Sequence, residues 1–97
     1  MRLDKFLKVS RIIKRRTLAK EICDGERVQV NGRRAKAGTD VKEGDLIHID
    51  FGRRQLTVRV LAVRENVRAA EARELYEVVE ETFRTDSDLP YLEDDPE

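Results

Sequence analysis

The sequence predicts a small α+β domain in which two short helices precede an antiparallel sheet. Two observations carry that reading. Near the start, apolar residues recur at helical spacing among basic ones; after Gly25 the pattern switches to alternation around an Asn-Gly pair. A length of 97 residues fits one domain with a compact core.

Leu3, Phe6 and Leu7 stand at i, i+3 and i+4, with Ser10 or Arg11 closing the stripe and Lys5 and Lys8 on the other side. That spacing buries one face of a helix, predicted over Leu3–Val9. Ile12 and Ile13 are expected to pack in the turn that follows. Leu18, Ala19, Ile22 and Cys23 form a second stripe, predicting a helix over Arg16–Asp24. Gly25 comes next, where a left-handed terminator is favoured. Cys23 is the only cysteine, which leaves no intrachain disulfide; it reads as a small buried hydrophobe.

Val28 and Val30 alternate with polar residues, as in a half-buried strand, and Asn31-Gly32 supplies a hairpin turn whose two positions need positive φ. Val41–Asp45 reads as another turn. Leu46–Phe51 reads as a strand, Gly52-Arg53-Arg54 as a turn, and Gln55–Val63 as the longest strand, with Leu56, Val58 and Val60 on one face. From about Asn66 the spacing is helical again: Ala69, Ala72, Tyr76, Val79 and Phe83 lie three and four apart, with glutamates between them. The expected organisation is therefore residues 1–64 as the helix-and-sheet domain, 65–85 as a C-terminal helix packed on or beside it, and 86–97 as a flexible acidic tail.

The net charge of zero conceals a strong segregation. Residues 1–36 hold twelve Lys/Arg against four Asp/Glu. Residues 1–64 carry a net +9 and residues 65–97 a net −9. A basic surface over a small core is the footprint of a nucleic-acid binder. An anionic membrane surface is the competing partner for such charge, but no exposed apolar helix face supports it. Only five aromatics are present, which disfavours stacking of single-stranded bases and favours the shape and phosphates of structured RNA. The two predicted helices are too short for a recognition helix in a DNA groove.

No catalytic or metal-binding constellation is evident. His48 is the lone histidine and sits in an alternating strand, so it reads as a surface strand residue. Asp45 belongs to a turn. The expectation is a non-enzymatic protein with no cofactor and no metal, soluble and cytoplasmic, with neither a transmembrane run nor a signal peptide.

Taken together, Arg2-Leu3-Asp4-Lys5-Phe6-Leu7, Arg16-x-x-Ala19-Lys20, Gly25-x-x-Val28-x-Val30-Asn31-Gly32 and Val41-x-x-Gly44-Asp45 resemble the S-four-type RNA-binding domain over about Met1–Asp50. The resemblance implies the alpha-L fold, two helices on a small bent antiparallel sheet, with RNA on the helical face. Leu3–Lys8 with Lys14–Glu21 is further similar to the RqcP family of bacterial ribosome-associated quality control, and to its relative, heat-shock protein fifteen. The latter carries a long basic C-terminal extension; the acidic C-terminus here favours the former.

That resemblance implies binding to large-subunit ribosomal RNA and peptidyl-tRNA on obstructed large subunits. It also implies support for alanine tailing of the stalled chain alongside a tRNA-delivering partner protein, by a monomer. Arg2, Asp4, Arg15 and Arg16 fall in the family's RNA-facing motif. Asp4 suits two roles, orienting the Arg16 guanidinium and serving as a carboxylate at a helix N-terminus. Lys5, Lys8, Arg11 and Lys20 are expected phosphate contacts, and Lys14 completes the junction cluster. Arg33, Arg34 and Lys36 either extend that surface or form an exposed hairpin rim. Two other readings stay open: a protein–protein adaptor working through the acidic C-terminal region, and an accessory shed from a pseudouridine synthase.

Overall fold

The two N-terminal helices form where the apolar stripes place them. In a computed structural model that describes residues 1–83, α1 spans Leu3–Val9 and α2 spans Arg16–Asp24. Leu3, Phe6 and Leu7 from α1 and Ala19, Ile22 and Cys23 from α2 are all fully buried. Burying each large apolar side chain contributes about 1.5–3 kcal/mol, so these few contacts hold helices too short to persist alone.

The helices cover one face of a five-stranded antiparallel sheet. Its strands are β1 (Val28–Val30), β2 (Arg33–Arg34), β3 (Leu46–Asp50), β4 (Arg54–Val60) and β5 (Tyr76–Phe83), in the spatial order β2-β1-β3-β4-β5. Register puts Val28 opposite Ile49 and Ile47 opposite Val58, and these buried residues join the helices in one core. The other face is polar: Gln29, His48 and Thr57 lie side by side across β1, β3 and β4. His48 holds Thr57 there through Nδ1 at 2.8 Å from Oγ1.

Asn31 (φ 53°) and Gly32 (φ 82°) both take the positive φ that the hairpin requires. The Asn31 side chain also clamps the next turn, accepting from the Leu46 N–H at 2.9 Å and donating to Asp45 at 3.1 Å. Asp45, itself buried, accepts from the Lys42 N–H at 3.0 Å, so its carboxylate is used up in closing that turn.

Two expectations need correction. Gly25 is not the left-handed terminator of α2; its φ is −80°, and Glu26 takes φ 64° instead. The Glu26 and Arg27 N–H groups bond the carbonyls of Cys23 and Ile22, the paired closure of a Schellman motif. The larger correction is the helix at 65–85. A 3-10 helix occupies Ala69–Leu75, and Tyr76–Phe83 is a strand. Tyr76, Val78, Val79, Thr82 and Phe83 are β-branched or aromatic types, and β4 has an edge whose backbone groups need partners. Strand pairing along β4 satisfies both, with Val60 opposite Tyr76 and Arg54 opposite Phe83. Of the supposed helical stripe only Ala72 is buried; Val79 and Phe83 are exposed. The acidic tail expected at 86–97 lies outside the described residues.

Candidate nucleic-acid interface

At the start of α1 the chain places a carboxylate beneath two guanidiniums. Asp4 is the second residue of the helix, and its side chain is 3% exposed. Its Oδ1 accepts from Arg2 Nε at 3.1 Å and its Oδ2 from a second Arg2 nitrogen at 3.4 Å, and Arg16 Nε lies 3.5 Å from that same Oδ2. Both arginine side chains remain about half exposed, 56% for Arg2 and 52% for Arg16. Their inner edges are therefore held and their outer donors face solvent.

Burial alone would raise the Asp4 carboxyl. The Arg2 hydrogen bond, the Arg16 and Arg2 charges and the Lys5 backbone N–H outweigh it and hold the group below the usual carboxylate range. The geometry sets Asp4 against Arg2 and within ion-pair distance of Arg16. The same burial acts on the neighbouring Cys23 thiol, pushed up to about 12 with the Asp4 and Asp24 charges adding to it. That thiol stays protonated and inert.

Arg2, Asp4, Arg16, Thr17 and Lys20 together line one shallow depression of about 340 Å³. The loop after β2 supports it from the side. The Leu3 N–H donates to the Thr39 carbonyl at 2.7 Å and the Asp4 N–H to the Ala37 carbonyl at 3.1 Å, and Gly38 lies against the Arg2 guanidinium. The N-terminal ammonium holds Asp40 at 2.7 Å. Sequence reasoning passed over this loop and Thr17. The signal that was available is Gly38-Thr39-Asp40, a turn composition directly after the basic hairpin.

The other candidate residues do not gather into that depression. Lys8 and Arg11 line a smaller one of about 170 Å³ with Val9, Glu65, Asn66 and Val67. Lys5 is paired with Glu65, which draws that carboxyl below its ordinary range. Lys14 and Arg15 are exposed in the turn between the helices, with Arg15 the residue that precedes α2. Arg33 and Arg34 are exposed on the edge strand β2, and Arg34 bonds Glu26 at 2.9 Å. Lys36 is exposed at the base of the supporting loop, where its N–H bonds Thr39 Oγ1.

Two N-terminal helices lie on an antiparallel sheet, with one carboxylate beside an arginine at the start of each helix, and residues 1–47 match the S4 domain family, which makes this an S4-domain protein. The RQC P-site tRNA stabilizing factor of Halalkalibacterium halodurans is 63% identical over 81 residues, covering 84% of this chain and 92% of that protein. The protein of the same name from Bacillus subtilis is 51% identical over 81 residues, covering 84% and 94%. Among solved structures, Heat Shock Protein 15 of Vibrio cholerae, described as trimeric, superposes with a TM-score of 0.75 at 35% identity over 81% of each chain. The chain belongs to the family of RQC P-site tRNA stabilizing factors.

Proposed function

We propose that this protein is a non-enzymatic RNA-binding factor of ribosome-associated quality control. In this reading it binds peptidyl-tRNA and ribosomal RNA on obstructed large ribosomal subunits. It holds the tRNA in place while the stalled chain is extended with alanine by a tRNA-delivering partner. The observation that carries the reading is the Asp4-held pair Arg2 and Arg16. Planar guanidiniums fixed on one edge and open on the other suit the oxygens of a phosphate backbone. Lys20 extends the same depression, and Lys8 and Arg11 offer a second group of cations. The names of the relatives above supply the tRNA and the quality-control setting. A recycling role like that of heat-shock protein fifteen is the second reading; it has the weaker support, since a heat shock protein 15 homologue is 40% identical against 63% for the relative above.

Sedimentation tests this directly. In extract enriched for large subunits carrying peptidyl-tRNA, the protein should travel with those subunits; protein left at the top of the gradient overturns the reading. Arg16→Ala removes a charge-assisted contact of about 1.5–3 kcal/mol, so the affinity should fall at least about tenfold, while the fold, short of one Asp4 partner, melts somewhat lower. Full co-sedimentation of the folded variant would remove Arg16 from the site.

Arg11 offers a test that separates binding from folding. It holds φ 62° just after α1, a conformation that costs a residue with a Cβ about 1–2 kcal/mol. Arg11→Gly relieves that strain, at some cost in unfolded-chain entropy. Thermal melts should show a stability equal to the parent or up to about 1 kcal/mol higher. RNA affinity should nevertheless fall, because the cation is gone. A variant that binds as tightly as the parent would make Arg11 a structural residue only.

A further inference from the structure

The strand that replaced the expected helix ends the sheet, and among the described residues no strand lies beyond it. β5 is eight residues long, and an outer edge of that length presents unpaired N–H and C=O groups to solvent. Its apolar side chains are uncovered too: Val78 is 53% exposed, Val79 49% and Phe83 66%. Register explains why. Val78 lies opposite the buried Val58 and Phe83 opposite Arg54, so both point to the helix-covered side of the sheet. Among the described residues, no helix covers that side at β5.

The charge of this edge selects its partner. β5 carries Glu77, Glu80 and Glu81 and no Lys or Arg; Arg59 and Arg54 of β4 pair with Glu77 and Glu81, and the 3-10 helix just before it holds Glu71 and Glu74 beside Arg73. The opposite edge, β2, is Arg33-Arg34. Four strand spacings of about 4.8 Å put about 19 Å between the two. Phosphates are repelled at the acidic edge, which argues against RNA there. A second copy pairing edge to edge would set glutamates against glutamates, which is destabilising.

We propose that β5 is a docking edge for a basic, extended segment of another protein, which adds as a sixth antiparallel strand. Backbone hydrogen bonds along β5 supply affinity. Apolar side chains of the segment cover Val78 and Phe83, and its Lys or Arg residues meet Glu80 on the opposite face. The protein would thereby hold RNA on its basic helices and a protein on its acidic edge.

The test uses the full chain, isotope-labelled, and a nine-residue peptide of alternating lysine and valine followed by amide NMR. Shifts and new exchange protection should concentrate on residues 76–83. Two controls should each weaken binding at least tenfold: N-methylation of alternate peptide residues, which leaves the protein untouched, and the pair Val78→Ser with Phe83→Ser, whose melting temperature checks the fold. No binding, or shifts that avoid β5, overturns the proposal. So does equal binding of the N-methylated peptide. Concentration-dependent dimerisation that protects the β5 amides would make a second copy the occupant. Loss of protection on deleting residues 84–97 would assign the edge to the chain's own C-terminus. Either result overturns the proposal.

Discussion

Asp4→Asn is expected to weaken RNA binding about tenfold or more, although it removes a negative charge from the RNA-facing side. Simple charge counting predicts the opposite, because one fewer anion near a phosphate backbone should strengthen association. The geometry decides between them. Asp4 accepts from Arg2 at 3.1 Å and lies 3.5 Å from Arg16, with both of its oxygens engaged. Asparagine keeps the shape but turns one acceptor into a donor, which then faces a guanidinium. The two arginines lose their shared anchor, repel each other, and must be ordered by the RNA at the moment of binding. Anisotropy titration with tRNA reads the effect, and tighter binding by the variant would show that Asp4 does not position the pair.

The same substitution has a pH signature. The Asp4 carboxyl is depressed in the folded protein, so it binds protons less readily than the unfolded chain does. Its stabilisation is complete above the unfolded value of about 3.9 and is lost as pH falls through the lower, folded value. Asp40 and Glu65 are depressed as well, so acid unfolding of the parent sums several groups. The difference between parent and Asp4→Asn isolates this one. The gap, about 1–3 kcal/mol at neutral pH for the lost charge-assisted bonds, should close at acid pH; a gap constant with pH would assign it to packing.

Salt should have an even larger effect. If Arg2, Lys8, Arg11, Arg16 and Lys20 each neutralise a phosphate, the log–log slope of affinity against salt is about −3.5 to −4.5. Between 50 and 200 mM salt the affinity then falls by about 10²- to 10³-fold. Lys5 and Arg34 should contribute less, because each has a carboxylate of its own, Glu65 and Glu26, whereas Arg2 and Arg16 share the single charge of Asp4. Arg2→Ala should flatten the slope by about 0.7–0.9, and Lys5→Ala by clearly less. A flat response in the parent would remove phosphate contacts from the mechanism and favour a protein-only mode of binding.

Much of the fold was legible because its signals are local. The spacing of Leu3, Phe6 and Leu7 and of Ala19, Ile22 and Cys23 marks both helices at the bounds observed. Asn31-Gly32 is a turn wherever alternating strands flank it, since few residue pairs accept two positive φ values. The region after Asn66 was misread because residues spaced by three and four also tolerate a strand. The choice was made by β4, whose open edge is remote in sequence. Gly25 failed as terminator for a related reason: the chain must enter β1 at Val28, and the Schellman closure at Cys23 and Ile22 places the left-handed residue at Glu26.

By itself, then, the sequence determined the helices, the hairpin, the basic first third and the motif order that marks the family, since each depends on residues within a few positions of one another. Tertiary structure alone decided which cations share a depression. It bent the 36–40 loop against α1 to steady Arg2 and Asp4, and it withdrew Lys5 into a pair with Glu65, 60 residues away. It also turned the glutamate-rich segment into an acidic sheet edge. Unmet backbone hydrogen bonds and unpaired charges are satisfied by whatever the fold brings near, and nearness in space is not written in local spacing.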